Sequence, residues 1–171
     1  DQEMIEEKTN EITAIPEIIE RLNLKNVICT WDALNTQKEN IKAVRAKGGD
    51  YCVALKGNQP NFYKDLQDYF DEDRLMIIES GYEGGYQLTR EKSHDAVITY
   101  EYYQTEKVEW YSDIKSWEGL KSIGLVKKKI EKIDGSITEE KRYYISSLLL
   151  NINEFSNAIR KHWNVEKETM G

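Results

Sequence analysis

The sequence has two cysteines and two prolines in 171 residues, no apolar run near membrane length, and no surplus of positive charge. Each shortage narrows what the chain can be. Cys29 and Cys52 fall inside apolar runs that read as buried strands, so they are expected as small core residues rather than as a disulfide or a metal pair. Pro16 and Pro60 stand where helices begin, a position at which the missing N–H costs little. No stretch approaches the roughly 20 apolar residues of a membrane helix, and residues 1–8 are acidic rather than a basic leader, so a cytoplasmic location is expected. A net charge of −7 argues against a surface that coats nucleic acid, since phosphates are met chiefly by Lys and Arg. Local patches remain open: Lys127-Lys128-Lys129 with Lys132, Lys141-Arg142, and Arg160-Lys161 read either as phosphate contacts or as solvated faces.

What is present is a chain of ordinary single-domain size with 39% hydrophobic and 32% charged residues, enough to bury a core. No linker, repeat or low-complexity run divides it. The first part alternates helix and strand, which favours a mostly parallel sheet flanked by helices. Ile15, Ile18, Ile19 and Leu22 recur at helical spacing. The apolar run Val27-Ile28-Cys29-Thr30-Trp31 ends at Asp32, and a polar, helix-starting segment, Ala33-Leu34-Asn35-Thr36-Gln37, follows. Thr36 and Glu39 have the spacing of a capping box, Ile41 and Val44 supply an inner face, and Gly48-Gly49 stop that helix. Tyr51-Cys52-Val53-Ala54-Leu55 reads as the next buried strand, Lys56-Gly57-Asn58-Gln59 as a turn, and Pro60 as the start of a helix lined by Tyr63, Leu66, Tyr69 and Phe70.

From about Arg74 the pattern changes. Residues 96–103, 120–130 and 141–148 are rich in β-branched and aromatic residues, and Asp134-Gly135 is a hairpin signal between two of them. The expectation is an antiparallel insertion over residues 73–148, joined to an α/β core of residues 1–72 and 149–171. Tyr82, Tyr86, Tyr100, Tyr102 and Tyr103 are then strand aromatics that pack, with stacking on unpaired bases as the alternative. Helix resumes at Asn151, with Glu154 placed to complete its cap.

Two carboxylates stand out chemically. Asp32, at the carboxyl end of a buried strand, is poor for folding and well placed for chemistry. Phe155, Ile159, His162 and Glu166 share one helix face, and an ionised Glu166 there needs a metal, a basic partner or a shifted pKa, unless it is simply solvated near the end of the chain. Two distant acids aimed into one α/β core point to a shared metal ion. Lys56 and Asn58 follow the second strand at the same sheet edge as Asp32, where α/β sites form; Asn58 and Gln59 read equally as caps of the next helix.

Six ordered blocks carry a resemblance. They are Asn10-Glu11-Ile12-Thr13-Ala14-Ile15-Pro16-Glu17, Asp32-Ala33-Leu34-Asn35-Thr36-Gln37-Lys38, Ala54-Leu55-Lys56-Gly57-Asn58-Gln59, Leu120-Lys121-Ser122-Ile123-Gly124, Arg142-Tyr143-Tyr144-Ile145-Ser146-Ser147-Leu148, and Arg160-Lys161-His162-Trp163-Asn164-Val165-Glu166. Together they resemble the H-repeat-associated family of bacterial insertion-sequence DDE transposases. The resemblance implies a ribonuclease-H-like mixed sheet with flanking helices, its first strands missing here, and a β-rich antiparallel insertion before the last helix.

It also implies that Asp32 is the second acid of a catalytic triad and Glu166 the third, holding two Mg²⁺ or Mn²⁺ ions in the complete enzyme. The reaction implied is nicking of double-stranded DNA at the element's ends and transfer of the 3′ end into target DNA. Lys56, Asn58, Arg160, Lys161 and His162 become DNA-binding candidates, with Trp163 as packing.

The sequence also departs from the family's pattern. The first acid belongs to an Asp-Gly-Lys motif upstream of the Asn10 block, and nothing here matches it, so the chain reads as an internal fragment expected to be inactive alone. Around His94 the family carries His-Gly-Arg followed by Glu and Arg, where this chain reads His94-Asp95-Ala96-Val97-Ile98-Thr99-Tyr100; Lys167 stands where Asn commonly follows the third acid. His94 itself reads either as a loop residue or as a DNA contact. A non-catalytic DNA-binding or structural remnant is the alternative, and a metal-dependent nuclease of the same fold a third. The expected setting is the bacterial nucleoid, with no membrane partner and an exposed sheet edge open to pairing in a homodimer.

Overall fold

Alternation along one strand organises the molecule. In β2 (Asp50–Leu55), Tyr51, Val53 and Leu55 join one hydrophobic core, whereas Cys52 and Ala54 join another. Both faces of this strand are therefore covered, as its unbroken apolar sequence requires. The protein is described by a computed structural model, comprising Ile19 and residues 22–163 in full and residues 164–170 as helical backbone. Of the first expected helix, Ile19 is buried and Leu22 packs against the core; Ile15, Ile18 and the Asn10 block lie outside the described residues.

Among the described residues, six strands form one sheet in the order β1-β2-β6-β5-β4-β3. β1 (Ile28–Cys29) runs parallel to β2, and every other neighbouring pair is antiparallel. Among the described residues, the mostly parallel sheet expected for the first part is thus limited to one pair. β3 (Gly85–Lys92), β4 (Ala96–Thr105), β5 (Ser122–Lys132) and β6 (Ile137–Ser146) are the antiparallel strands, and β6 joins them to β2. The β5–β6 hairpin closes at Asp134-Gly135: Gly135 has φ +90°, and Asp134 Oδ1 accepts the Ser136 N–H at 2.9 Å.

Helices cover both faces. α1 (Lys38–Ala46), α2 (Pro60–Tyr69) and α3 (Glu72–Glu79) place Ile41, Val44, Phe62, Leu66, Leu75 and Ile78 in the first core, with Trp31 and Trp117. α4 (Ile152–Met170) lays Phe155, Ala158 and Ile159 on the opposite face, against Cys52, Ala54, Tyr144, Val126 and Tyr102. Each buried Leu, Ile, Val or Phe among them contributes about 1.5–3 kcal/mol. Both cysteines are buried in the core, as expected.

Glycine governs how closely α4 approaches. A Cβ at Gly124 in β5 would lie 2.7 Å from Phe155 Cε1, so the bare backbone there admits the ring. Asn151 caps α4, its Oδ1 accepting the Glu154 N–H at 3.1 Å, while the Asn151 N–H donates to Gln104 Oε1 at 3.1 Å.

α3 falls where a change to strands was expected. Asp71 caps it, accepting the Arg74 N–H at 2.8 Å. Its apolar residues hid it: Leu75 and Ile78 are buried while Met76 and Ile77 between them are exposed, leaving no clean stripe to read. Tyr100, Tyr102 and Tyr103 are buried, in keeping with packing; Tyr82 is exposed.

Candidate active site

The parallel β1–β2 pair gathers two strand ends at one edge. Ile28 stands opposite Asp50 and Cys29 opposite Tyr51, so the segments containing Asp32 and Lys56 leave the sheet side by side. After β1 the chain makes a 3-10 turn, Ala33–Asn35, in place of the α-helical start expected there. Asp32 is its N-cap, extended at φ −77° and ψ 171°, and its carbonyl accepts the Asn35 N–H at 3.2 Å. The Asp32 side chain is partly exposed, and its Oδ1 accepts from Asn35 Nδ2 at 3.4 Å, a long and weak contact.

Side chains from several elements pin this turn. Thr36 Oγ1 donates to the Ala54 carbonyl of β2 at 2.5 Å, Asn58 Nδ2 to the Ala33 carbonyl at 2.9 Å, and Gln59 Nε2 to the Thr36 carbonyl at 3.3 Å. Asn40 Nδ2, from α1, donates to the Asn35 carbonyl at 2.8 Å. Thr36 is therefore not the cap of α1; that position belongs to Gln37, which makes no side-chain cap bond. Gln59 stands at the N-cap of α2, likewise without a side-chain cap bond, so the amides of Asn58 and Gln59 serve the Asp32 turn instead. Sequence reasoning missed Asn35, Asn40 and Gln59 in this role. The available signal was the density of short amide and hydroxyl side chains in two consecutive strand-end turns.

The α4 candidates divide among different surroundings. His162 is buried on the face shared with Phe155 and Ile159, as expected. Arg160 turns toward β3 and β4: its Nη2 bonds Glu91 Oε1, and its Cζ lies 4.4 Å from the Tyr100 ring centroid. Partial burial opposes the Arg160 charge, but the nearby Tyr102 hydroxyl and the Glu91 carboxylate outweigh it and raise the pKa above its ordinary value. Lys161 is exposed and lines a polar groove with Asn26, Ile28 and Asn157. Trp163 packs at 5.3 Å from Tyr100, in keeping with a packing role, and His94 is exposed. The Glu166 residue lies within α4, its side chain outside the described residues. Among the described residues no group of three or more His, Cys, Asp or Glu is placed to hold a metal ion.

The family described as "Transposase DDE domain" matches residues 2–168. The chain belongs to that family. Two relatives from Escherichia coli place it further. "Putative transposase YncI" of strain O157:H7 is 35% identical over 164 residues, covering 94% of this chain and 41% of the relative. "H repeat-associated putative transposase YhhI" of strain K12 is 34% identical over 171 residues, covering 95% of this chain and 43% of the relative. The chain thus spans less than half the length of these transposase-named relatives. Among solved structures, Streptomyces venezuelae DesVI gives a TM-score of 0.34 at 10% identity, covering 80% of this chain and 48% of that one, too slight a likeness to bear on the fold. No helix among the described residues of this DDE-family chain is long and apolar enough to cross a membrane.

Proposed function

We propose that the chain is the part of a DDE transposase that carries the second and third acids of the triad, Asp32 and Glu166. In this reading residues 1–72 and 149–171 belong to a ribonuclease-H-like core, residues 73–148 are its β-rich insertion, and the substrate is double-stranded DNA at element ends and target. The observation that carries the reading is the Asp32 turn. A carboxylate stands at the carboxyl end of a strand, in a loop held from β2, α1 and the turn after β2, within a chain that matches the family over residues 2–168.

The chemistry of Asp32 suits a hard divalent ion. The residue is partly exposed, and the long amide contact from Asn35 on Oδ1 is weak enough to yield to coordination. Asp32 and Glu166 would hold Mg²⁺ or Mn²⁺, which would stabilise the charge that develops on the attacked phosphate. The protein's own part is positioning: Thr36, Asn40, Asn58 and Gln59 fix the turn so that the carboxylate needs no reordering when DNA arrives. Lys56 supplies positive charge at the same edge, and Lys161 and His162 lie on the helix that leads to Glu166. These 171 residues contain no match to the Asp-Gly-Lys motif of the first acid, so by themselves they are expected not to join a DNA end.

Titration of Mn²⁺ by water-proton relaxation tests the metal assignment. Asp32→Asn and Glu166→Gln should each weaken binding, and the double variant should do little more than either. Binding that neither substitution alters would sink the assignment. Robust joining of a pre-cleaved element end by the 171-residue chain would overturn the expectation of inactivity.

A further inference from the structure

The strand register carries a second feature away from Asp32 along the sheet. Leu55 pairs with Tyr143, so Lys56, the next residue of the chain, emerges beside Arg142 of β6. Lys128 of β5 stands opposite Glu140 of β6, which brings a further cation to the α4-covered face. Arg142 Nε bonds Glu140 Oε1 at 2.7 Å. Trp163 of α4 organises the group: the Arg142 guanidinium carbon lies 5.1 Å from its ring centroid and Lys128 Nζ lies 6.0 Å from it. Lys128 Nζ also lies 5.9 Å from the Tyr100 ring centroid. Cation–π contact holds both long side chains at one place, reducing the rotamer freedom lost when an anion binds. Burial raises the Glu140 pKa, but Arg142, Lys128 and Lys56 together overcome that and lower it below its ordinary value of 4.5, so all three cations act on this one carboxylate.

We propose that Lys56, Lys128 and Arg142, the last two held against Trp163, form a phosphate-binding track that guides the backbone of duplex DNA to the sheet edge where Asp32 stands. This rests on the DNA-transposing reading of the chain and adds to it a path for the substrate. Three cations around one carboxylate leave a surplus of two positive charges on a protein whose net charge is −7, so the track is a local attractive site on a repulsive surface. Arg160 is outside the track, because it turns toward β3 and β4, where it pairs with Glu91. Trp163 keeps Lys128 and Arg142 in place without touching DNA.

Salt-dependent binding measures the track. The probe is a fluorescein-labelled duplex of about 30 base pairs, titrated with the 171-residue chain by anisotropy at several salt concentrations without divalent metal. Lys56→Gln and Lys128→Gln should each reduce the slope of log K against log[salt] by about 0.9, the value for one lost phosphate contact on B-DNA. Glu140→Gln should tighten binding. Lys47→Gln, exposed at the end of α1, should leave the slope unchanged. Circular dichroism of each variant checks folding, and Lys56, Lys128 and Glu140 are all side chains that are not fully buried. Unaltered slopes in both lysine variants, with duplex still bound, would overturn the track and leave the transposase reading standing. Failure of the unsubstituted chain to bind duplex even at low salt would overturn the track and the DNA-binding reading together.

Discussion

Thr36 Oγ1 donates a hydrogen bond of 2.5 Å to the carbonyl of Ala54, 18 positions along the chain and inside the protein. β1 ends at Cys29, opposite Tyr51, so the last residues of β2 have no β1 residue paired with them. The threonine hydroxyl takes over the role of a missing strand N–H, and in doing so it anchors the segment that follows Asp32. One bond thus satisfies a buried acceptor and sets the height of the candidate catalytic turn above the sheet.

Replacing Thr36 tests that double role. Thr36→Val keeps the shape and leaves the Ala54 carbonyl without its donor, which should cost about 1–3 kcal/mol. Thr36→Ser keeps the hydroxyl and should cost less. Urea denaturation of both variants gives the comparison, and equal midpoints for Val and Ser would show that the hydroxyl contributes nothing.

Gly124 is the second point at which the fold depends on one atom. An alanine methyl would enter the Phe155 ring, with Cε1 at 2.7 Å, and the ring is held edge-on to Tyr144 at 5.9 Å. Gly124→Ala should destabilise by about 1–3 kcal/mol, as overpacking does. Phe155→Leu in the same chain should recover part of that loss, so the double variant should be more stable than the two separate losses predict.

Most of the sheet was legible because alternation and β-branched runs report strands directly. β5 and β6 appear where the residues around Asp134-Gly135 place them, and Asn151 caps α4 as its spacing with Glu154 implies. α3 was not legible, since Met76 and Ile77 face solvent and blur the stripe. The capping box at Thr36 misled for a physical reason: the hydroxyl finds a stronger use on the Ala54 carbonyl than on the start of α1. At the candidate site, Asp32 was legible from its place after an apolar run. Its supports were not, because Asn58 and Gln59 act across 25 and 23 positions on backbone carbonyls that no local pattern names.

Alkaline pH should expose the burial of Cys52. Burial is the main cause that pushes its thiol from an ordinary 9.0 up to about 12. The folded state therefore keeps the proton while the unfolded chain releases it above 9, so stability is fully present below pH 9 and falls as pH rises toward 12. One such group accounts for about 1.4 kcal/mol per pH unit. The buried hydroxyls of Tyr51 and Tyr144 are also raised, and they add to the fall from about pH 10 upward. Urea midpoints between pH 8 and 10 should decline less in Cys52→Ala than in the unsubstituted protein, and parallel declines would remove Cys52 as the cause.

Asn58 offers the sharpest separation of site geometry from stability. Its amide reaches the Ala33 carbonyl at 2.9 Å from a turn that is largely exposed, so Asn58→Ala should cost only about 0.5–1.5 kcal/mol overall. The local effect should be larger in proportion. The Asn35 and Thr36 N–H groups close the 3-10 turn on the carbonyls of Asp32 and Ala33, and both depend on the turn staying seated. Hydrogen exchange at those two amides should speed up in Asn58→Ala while exchange at Val53 in β2 stays near its original rate. Mn²⁺ binding should weaken in the same variant, because Asp32 then samples more orientations before coordination. Faster exchange with unchanged Mn²⁺ affinity would mean that the turn needs Asn58 but the carboxylate does not, and the pinning would then belong to folding rather than to the site.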